Sequence, residues 1–335
     1  MKTISIISPC FNEADNVRAC HHAVRALFAG PLAGYAHEHI FADNASTDGT
    51  ADILRTIAAE DPAVKVILNA RNFGPFRSMF NALRSATGDA VVVFLAVDMQ
   101  DPPETIVEFV RLWEAGVEVV AGARINRQES LALRTCRAIF YRLVKTLSDI
   151  DIPINVGEFQ LIDRKVWEAV VQHDDHYPYV RGIIANVGFR RVIVPYTWVA
   201  RRSGISKNNL PRLIDQAMNG IFSFTNAPVR FCTLAGFVLA GLCMLYAFSG
   251  VVLYFAAPSF APRGVTTLIV AVFFLFGVQL AFMGIIGEYV TSIHAQVRRR
   301  PLVVERERIN MGPADDCANP VHALQRRAAA AAEAA

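Results

Sequence analysis

Cysteine is scarce in this chain and shows no metal-binding or redox spacing. Six cysteines are spread over 335 residues, and none of them forms a Cys-x-x-Cys pair. Zinc ribbons and thiol redox sites depend on such close spacing. We therefore expect all six thiols to be reduced and structural.

A basic excess is also lacking. Lys and Arg number 33 against 30 Asp and Glu, which gives a net charge of +3. Binding to nucleic acid phosphates normally needs a much larger positive charge, so we expect no nucleic acid partner. A signal peptide is missing as well, because the apolar run in Lys2–Pro9 is too short and is typical of a strand. We expect the large N-terminal part to stay in the cytoplasm.

Charged residues are absent from two long segments. Phe231–Ala257 has none over 27 positions, and Gly264–Gly287 has none over 24. As helices these segments would be about 36–40 Å long, enough to cross a hydrocarbon core of about 30 Å. The short link between them, Pro258–Arg263, predicts a helical hairpin in the lipid bilayer.

Positive charge flanks this hairpin unevenly. Arg230 precedes the first segment and Arg298–Arg300 follow the second, whereas the link holds only Arg263. By the positive-inside rule both ends of the hairpin face the cytoplasm. The chain is thus predicted to be a multi-pass protein with its N-terminal domain and C-terminus in the cytoplasm.

The first 123 residues alternate strand and helix signals. This rhythm predicts an α/β fold with a mostly parallel sheet and helices on both faces. The expected strands are Thr3–Ser8, His39–Asp43, Val64–Leu68, Ala90–Ala96 and Val117–Ala121. The expected helices are Ala14–Phe28, Ala51–Glu60, Phe76–Ser85 and Glu104–Ala115.

Two later stretches have amphipathic helical spacing. Leu210–Phe224 lies a few residues before the first apolar segment, and we expect it to lie at the membrane surface. Ser130–Ser148 has a basic side and fits either the membrane surface or packing on the sheet. The tail, Glu305–Ala335, is charged and then alanine-rich, and we expect it to fray or to form a lone helix.

The segment Val91–Glu104 carries the clearest chemical signal. A continuous apolar run ends in Asp98 and Asp101, and Pro102-Pro103 then stop the strand. In open α/β sheets ligands bind outside the carboxyl ends of the strands, where paired carboxylates suit a divalent cation and a diphosphate. The alternative is a polar loop in which an Asp caps the next helix.

Polar residues also follow the three earlier strands. Asn12 and Glu13 end the first, although Asn12 could instead be a helix N-cap. Asp43–Thr50 follows the second, where Asp43 could accept from a base or ribose while Ser46 and Asp48 cap the next helix. Arg71–Gly74 follows the third.

These segments together resemble family 2 glycosyltransferases, and more narrowly the polyprenyl-phosphate glycosyltransferases similar to dolichyl-phosphate mannose synthase with a C-terminal membrane hairpin. The similarity covers roughly residues 3–304. It rests on Ser8–Glu13, Asp43–Thr50, Asn72–Gly74, Asp98–Glu104, Gly157–Leu161, Val187–Phe189, Arg201–Lys207, Ile286–Tyr289 and Arg300-Pro301.

The resemblance implies a Rossmann-like GT-A domain at residues 1–208. A juxtamembrane helix at 209–230, the hairpin at 231–290 and a cytoplasmic tail at 291–335 complete the predicted domains. It further implies Mg²⁺ or Mn²⁺, a UDP- or GDP-sugar donor, a polyprenyl phosphate acceptor such as undecaprenyl phosphate, and the bacterial cytoplasmic membrane. Similar enzymes often form tetramers, so a homo-oligomer is a further possibility.

Site residues follow from the same resemblance. The expected nucleotide site comprises Pro9, Phe11, Asn12, Glu13, Asp43, Asn72 and Gly74. Asp98 matches the metal motif, with Asp101 as a second candidate ligand. Glu158 matches a proposed base, and Arg201 and Lys207 match residues that contact phosphates.

Four positions depart from the family pattern. Ala96 replaces the first Asp of the metal motif, and Asn44 replaces a frequent Asp, which predicts one weaker polar contact. Glu158 replaces a frequent Asp and reaches one methylene further. Gln160 replaces a frequent Arg and removes a cation near the proposed acceptor site.

The sequence therefore favours an enzyme that transfers a sugar, with inversion, from a nucleotide-diphosphate sugar to a polyprenyl phosphate. Because the acceptor is already anionic, Glu158 is expected to position it more than to deprotonate it. The alternative is a weakly active or inactive nucleotide-sugar-binding membrane scaffold, suggested by Ala96. Transfer to another lipid or to a growing polysaccharide is a third hypothesis.

Overall fold

The computed structural model describes residues 1–125, 156–173, 175, 178–199, 227–256, 264–297 and 301–311. The chain divides into two compact units. The first contains the described residues up to 199 together with 301–311. The second contains two long helices between residues 227 and 297. The predicted amphipathic stretches Ser130–Ser148 and Leu210–Phe224 lie outside the described residues.

Strands and helices alternate through most of the first unit. In chain order its elements are β1 (Thr3–Cys10), α1 (Ala14–Ala29), β2 (Ala36–Asp43), α2 (Thr50–Glu60), β3 (Val64–Asn69), α3 (Pro75–Leu83), β4 (Ala90–Val92), α4 (Thr105–Glu114), β5 (Val119–Ile125), β6 (Val156–Asp163), α5 (Arg164–Val171), α6 (Val180–Asn186), β7 (Arg191–Thr197) and β8 (Glu305–Ile309).

Within the described residues the strands form one eight-stranded sheet in the order β7-β5-β6-β4-β1-β2-β3-β8. The central run β4-β1-β2-β3 is parallel, as the alternation of strands and helices predicts. β6 is antiparallel to both β4 and β5, β7 is parallel to β5, and β8 is antiparallel to β3. The sheet is therefore mixed, with a parallel centre that places four strand ends at one edge.

β4 is shorter than its apolar run predicts. The strand ends at Val92, although the run continues to Leu95. The backbone N–H of Val93 still donates to Gln160 at 2.9 Å, and that of Leu95 donates to Ile7 at 2.8 Å. The chain thus stays anchored between β1 and β6 up to the acidic loop that follows.

Helices cover both faces of the sheet. On one face α1, α2 and α4 pack on a continuous core that includes Phe41, Phe109 and Phe159. Residues that alternate with this face along the strands, such as Ile7 and Ile40, are also fully buried, and α3 contacts β1 and β2. Each fully buried large side chain contributes about 1.5–3 kcal/mol, so the sheet is a rigid base for its loops.

The expectation of a frayed tail or lone helix is wrong for Glu305–Ile309. This segment forms β8, an edge strand on β3. The Nδ2 group of Asn310 donates to the carbonyls of Ala58 and Val64 at 2.6 and 2.9 Å. The sequence of β8 is highly charged and gives no strand signal, because the strand is stabilised by pairing with β3 and by the hydrogen bonds of Asn310.

The second unit contains α7 (Ala227–Ala256) and α8 (Val265–Val297), of 30 and 33 residues. Within α8, Phe274–Thr291 is long and apolar enough to cross a membrane, whereas the apolar segment found in the described part of α7, Phe231–Cys243, is shorter. Most large apolar side chains that are exposed in the described residues lie on these two helices. One predicted span thus meets the length criterion, and the full hairpin stays a prediction.

Candidate active site

Four strand ends that carry the predicted polar residues lie side by side. β4, β1, β2 and β3 are adjacent and parallel, so their carboxyl ends share one edge of the sheet. Asn12 follows β1, Asp43 ends β2, Gly74 follows β3 and Asp98 follows β4. The edge that the sequence predicts for ligand binding is therefore formed by this part of the chain.

A residue with a positive backbone φ follows each of these four strands. Asn12, Ala45 and Met99 have φ values of 54°, 60° and 55°, and Gly74 has a φ of 90°. This conformation costs a residue with a Cβ roughly 1–2 kcal/mol. Such strain clusters at functional sites, where the surrounding contacts hold the backbone in place.

Side-chain hydrogen bonds join the first strand end to the second. The Asn12 N–H donates to Ser46 Oγ, and Asn12 Oδ1 accepts from the Thr47 N–H, both at 2.8 Å. The Glu13 N–H donates to Thr50 Oγ1 at 3.0 Å. The N-cap of α1 is Glu13, so Asn12 bridges two loops and does not cap the helix. These hydrogen bonds hold the loops after β1 and β2 together as one wall of the site.

Asp43 is the buried anchor of this wall. Its side chain is 1% exposed, and its carboxylate accepts from both the backbone N–H and the hydroxyl of Ser46. Burial raises the pKa of Asp43, and the hydrogen bonds from Ser46 lower it in part. Asp48 lies outside this pair: its Oδ1 accepts from the Thr50 N–H at the start of α2, and its Oδ2 accepts from the Ala14 N–H at the start of α1, both at 3.1 Å. The N-cap of α2 is Gly49, so neither Ser46 nor Asp48 is the N-cap residue of that helix.

Asn44 joins the second strand end to the third. Its Oδ1 accepts from Asn69 Nδ2 at 3.0 Å and from the Phe73 N–H at 3.3 Å, while its Nδ2 donates to the Gly74 carbonyl at 3.1 Å. The loop is closed by Asn72, whose Oδ1 accepts from the Gly74 N–H at 2.9 Å. The weaker polar contact expected at Asn44 stays a prediction, and within the protein the amide uses both its donor and its acceptor.

The acidic loop after β4 places its two carboxylates in different surroundings. Asp98 is half-buried, and its Oδ1 accepts from the Gln100 N–H at 3.3 Å. Asp101 is fully buried and accepts from the side chains of Arg124 and Tyr196. Asp101 as a metal ligand stays a prediction, and both of its carboxylate oxygens accept hydrogen bonds from these two side chains.

Glu158 reaches the same edge from a neighbouring strand. Because β6 runs antiparallel to β4, its first residues lie beyond the carboxyl end of β4. The Glu158 side chain is 15% exposed and lies 3.6 Å from Arg181 of α6. Gln160 is buried and donates to the Gly157 carbonyl at 2.7 Å. A carboxylate and a guanidinium therefore occupy the side of the site that the sequence predicts for the acceptor.

The remaining predicted residues divide into two groups. Pro9 on β1 and Phe11 after it are half-buried at the same edge. Arg201 and Lys207 lie outside the described residues. Sequence reasoning missed Arg124, Arg181 and Tyr196, because each contacts a predicted residue from a strand or helix that is 23 to 95 positions away.

The donor set at this edge fits a hard divalent cation. No group of three His, Cys, Asp or Glu side chains that could hold a metal occurs in the described part of the chain. Mg²⁺ needs no such cage, because it usually binds one or two carboxylates and completes its shell with water and substrate phosphates. The half-buried Asp98 at a strand end offers such a carboxylate.

Comparison with known proteins agrees with this geometry. Residues 5–171 match the model of "Glycosyl transferase family 2". The chain is 34% identical over 302 residues to an uncharacterized glycosyltransferase of Bacillus subtilis, covering 90% of this chain and 92% of that protein. It is 35% identical over 301 residues to the bactoprenol glucosyl transferase of Shigella phage SfII, covering 89% and 96%.

Solved structures are more distant. A mannosyltransferase from Pyrobaculum calidifontis in complex with GDP-Man and Mn²⁺ is 20% identical, with a TM-score of 0.45 over 88% of this chain and 86% of that one. The sequence relatives, which are more than 30% identical over nearly their whole length, decide the family. The chain belongs to glycosyl transferase family 2, and the protein is a glycosyltransferase.

Proposed function

We propose that the protein transfers a sugar from a nucleoside diphosphate sugar to a polyprenyl phosphate at the cytoplasmic face of a membrane. The observation that carries this proposal is the similarity to proteins named bactoprenol glucosyl transferase, which extends over 89% of this chain and 96% of the phage protein. The four polar strand ends at one edge of the sheet supply the donor side of such a site.

The donor nucleotide is assigned to the first three strand ends. Pro9, Phe11, Asn12, Glu13 and Asp43 line the edge beside β1 and β2, with Asn72 and Gly74 beside β3. The rigid pairing of these loops through Asn12 and Asn44 orients the nucleotide before reaction. Asp43, at the end of β2, is proposed to accept a hydrogen bond from the base or ribose.

Asp98 is the proposed ligand of Mg²⁺ or Mn²⁺. A bound cation supplies positive charge that stabilises the departing nucleoside diphosphate. Arg201 and Lys207 are proposed to contact phosphates on the same side. The acceptor phosphate oxygen attacks the anomeric carbon, and the bond to the diphosphate breaks with inversion. Glu158, beside Arg181, positions the acceptor.

The apolar helices are proposed to hold the enzyme at the lipid that carries the acceptor. α7 and α8 would form the predicted hairpin with both ends in the cytoplasm, which keeps the catalytic unit on the side where nucleotide sugars are made. A bilayer anchor confines the enzyme and its substrate to two dimensions and raises their encounter rate.

The test uses the full-length protein in detergent micelles with undecaprenyl phosphate and a panel of labelled UDP- and GDP-sugars. We expect a labelled lipid product that EDTA abolishes. We expect Asp98→Asn to lower its rate by about a hundredfold or more, because metal stabilisation contributes several kcal/mol. Asp15→Asn, an exposed carboxylate in α1, is the matched control and should retain full activity.

The alternative hypothesis, a nucleotide-sugar-binding scaffold, predicts that no lipid product forms. It expects donor binding by calorimetry without turnover for any donor, and no gain from Ala96→Asp. Binding without any lipid product across the panel would reject the enzymatic proposal.

A further inference from the structure

Asp101 is fully enclosed by protein partners. Its side chain is 0% exposed. Arg124 donates from Nε to Oδ1 at 3.2 Å and from a terminal nitrogen to Oδ2 at 3.1 Å. The Tyr196 hydroxyl donates to Oδ1 at 2.5 Å. Both carboxylate oxygens are therefore occupied by a cation and a phenol.

The three residues come from separate parts of the sheet edge. Asp101 lies in the loop that carries Asp98, Arg124 lies near the end of β5, and Tyr196 lies near the end of β7. Arg124 and Tyr196 are register partners on parallel strands, and Arg124 Nε is 3.1 Å from the Tyr196 hydroxyl. The acidic loop is thus tied to the two strands on the far side of β6.

A backbone hydrogen bond also joins the acidic loop to the residues that follow β7. The Val199 N–H, just after β7, donates to the Gln100 carbonyl at 3.1 Å. β7 ends at Thr197, so this connection lies between the acidic loop and the segment that contains Arg201. The loop that carries the proposed metal ligand and the strand that leads to a proposed phosphate contact are therefore joined at two points.

Packing around the cluster leaves it little freedom. The Tyr196 ring meets the ring of Phe159 edge-on at 5.5 Å between centroids. A Cβ added at Gly122 would lie 2.7 Å from Tyr196 Cε1 and 2.9 Å from the Phe159 carbonyl oxygen. Glycine at position 122 therefore leaves the space that the Tyr196 ring occupies.

Tyr196 and Arg124 both keep their protons at neutral pH. Burial raises the pKa of Tyr196, and the Asp101 carboxylate raises it further, so the phenol keeps its proton and donates. Burial lowers the pKa of Arg124, but Asp101 and Tyr196 together more than offset this, so the guanidinium stays charged. Withdrawing Asp101 to bind a metal would leave Arg124 as a partly buried charge without its counter-ion.

We infer that Asp101, Arg124 and Tyr196 form a positioning cluster that fixes the loop carrying Asp98, and that Asp101 acts through these two partners rather than by binding metal. The inference rests on the proposed function for the role of Asp98. It rests on the hydrogen bonds, burial and strand register for the cluster itself.

The first experiment measures how firmly the loop that carries Asp98 is held, and it does not depend on enzymatic activity. Hydrogen exchange by mass spectrometry is measured on peptides that span residues 96–104 in the full-length protein and in Asp101→Asn, Arg124→Gln and Tyr196→Phe. We expect exchange in this loop to become about tenfold faster in each variant, as the loss of one charge-assisted hydrogen bond would cause. Arg111→Gln, which breaks an exposed ion pair in α4, is the matched control and should leave the loop unchanged.

The second experiment separates positioning from metal binding in the transfer reaction. We expect the three cluster variants to lose about tenfold to a hundredfold in kcat, because small displacements of a reacting group cost that much, with the Mn²⁺ concentration for half-maximal rate unchanged. Asp98→Asn should raise that Mn²⁺ concentration. The decision rests on Tyr196→Phe, which removes one hydroxyl and leaves no buried charge unpaired.

Two results would overturn the inference. One is unchanged loop exchange in Tyr196→Phe together with an unchanged kcat. The other is a raised Mn²⁺ requirement in Asp101→Asn that Arg124→Gln and Tyr196→Phe do not share, which would make Asp101 a ligand. If the parent protein forms no lipid product, the proposed function fails, and the exchange experiment still decides whether the cluster holds the loop.

Discussion

Asn44 Nδ2 donates to the carbonyl of Gly74 across the gap between the second and third strand ends, at 3.1 Å. An aspartate at this position would have no N–H group to donate to that carbonyl. Asn44 is 2% exposed, so a carboxylate in its place would face the carbonyl oxygen without water to separate them.

We therefore expect Asn44→Asp to lower the free energy of unfolding by about 1–3 kcal/mol, the usual cost of a buried hydrogen bond that is lost on one side. The KM for the nucleotide sugar should rise with it, because the Gly74 loop loses its anchor. Thermal unfolding in detergent and donor titration of the transfer rate measure the two effects.

Asn72→Asp is the matched control for this change. Asn72 is exposed and only accepts from the Gly74 N–H, which a carboxylate also does. This variant should keep the stability of the parent, so thermal unfolding is the measurement compared between the two variants. Equal behaviour of the two variants would show that the Asn44–Gly74 hydrogen bond does not hold the loop.

The parallel centre of the sheet was predictable because its strands are continuous apolar runs followed by turn residues. Thr3–Cys10 and Val64–Asn69 differ from their predicted bounds by two residues or fewer at each end. Asp98 and Asn12 could be placed at the binding edge by the same logic, since strand ends in a parallel sheet point the same way.

The strands at the two sides of the sheet were not predictable in this way. β8 reads Glu-Arg-Glu-Arg-Ile, with one apolar residue in five, and only pairing with β3 makes it a strand. β7 contains Pro195, which is tolerated because β7 is the last strand in the described order of the sheet. The contacts of Arg124 with Asp101 and Tyr196 depend on strand order, which a single sequence does not encode locally.

Ala45 offers a test of backbone strain at the second strand end. Its φ of 60° costs a residue with a Cβ about 1–2 kcal/mol, whereas glycine loses about 0.4–1 kcal/mol through the entropy of the unfolded chain. We expect Ala45→Gly to be neutral or to stabilise the protein by up to about 1 kcal/mol. Thermal unfolding in detergent measures the difference.

The control variant is Ala19→Gly, at an exposed position inside helix α1. There the backbone is helical, so glycine should destabilise by about 1 kcal/mol. If both variants lowered stability equally, the Ala45 backbone would not be strained.

Asn310 is expected to anchor β8 to the sheet edge. Asn310→Ala removes two hydrogen bonds to the carbonyls of Ala58 and Val64 and leaves a Cβ at a φ of 57°. We expect a loss of about 1–3 kcal/mol in unfolding free energy, together with faster hydrogen exchange in β3. Asn310→Gly relieves the backbone and still lacks the hydrogen bonds, so it should fall between the parent and Asn310→Ala. A stable Asn310→Ala protein with unchanged exchange in β3 would mean that strand pairing alone holds β8.

We expect the buried side chain of His39 to make the free energy of unfolding depend on pH. The ring is 0% exposed, its Nε2 lies 2.9 Å from Ser8 Oγ, and its Nδ1 has no hydrogen-bond partner among the described residues. Burial, followed by the nearby His21 and His37, lowers the pKa of His39 well below its ordinary value. The folded protein therefore keeps His39 neutral at a pH where the unfolded chain already binds a proton.

Because the unfolded state binds more protons, this group makes stability fall as the pH drops below about 6.5, by up to about 1.4 kcal/mol per pH unit, until the folded pKa is reached. Above about pH 6.5 it contributes no slope. Unfolding measured from pH 7.5 to 5 should show this decline, and His39→Gln, which cannot take up the proton, should flatten it. His22→Gln at the exposed neighbouring surface of α1 controls for the loss of a histidine. A His39→Gln protein that keeps the parent's full pH slope would show that another group causes the acid sensitivity.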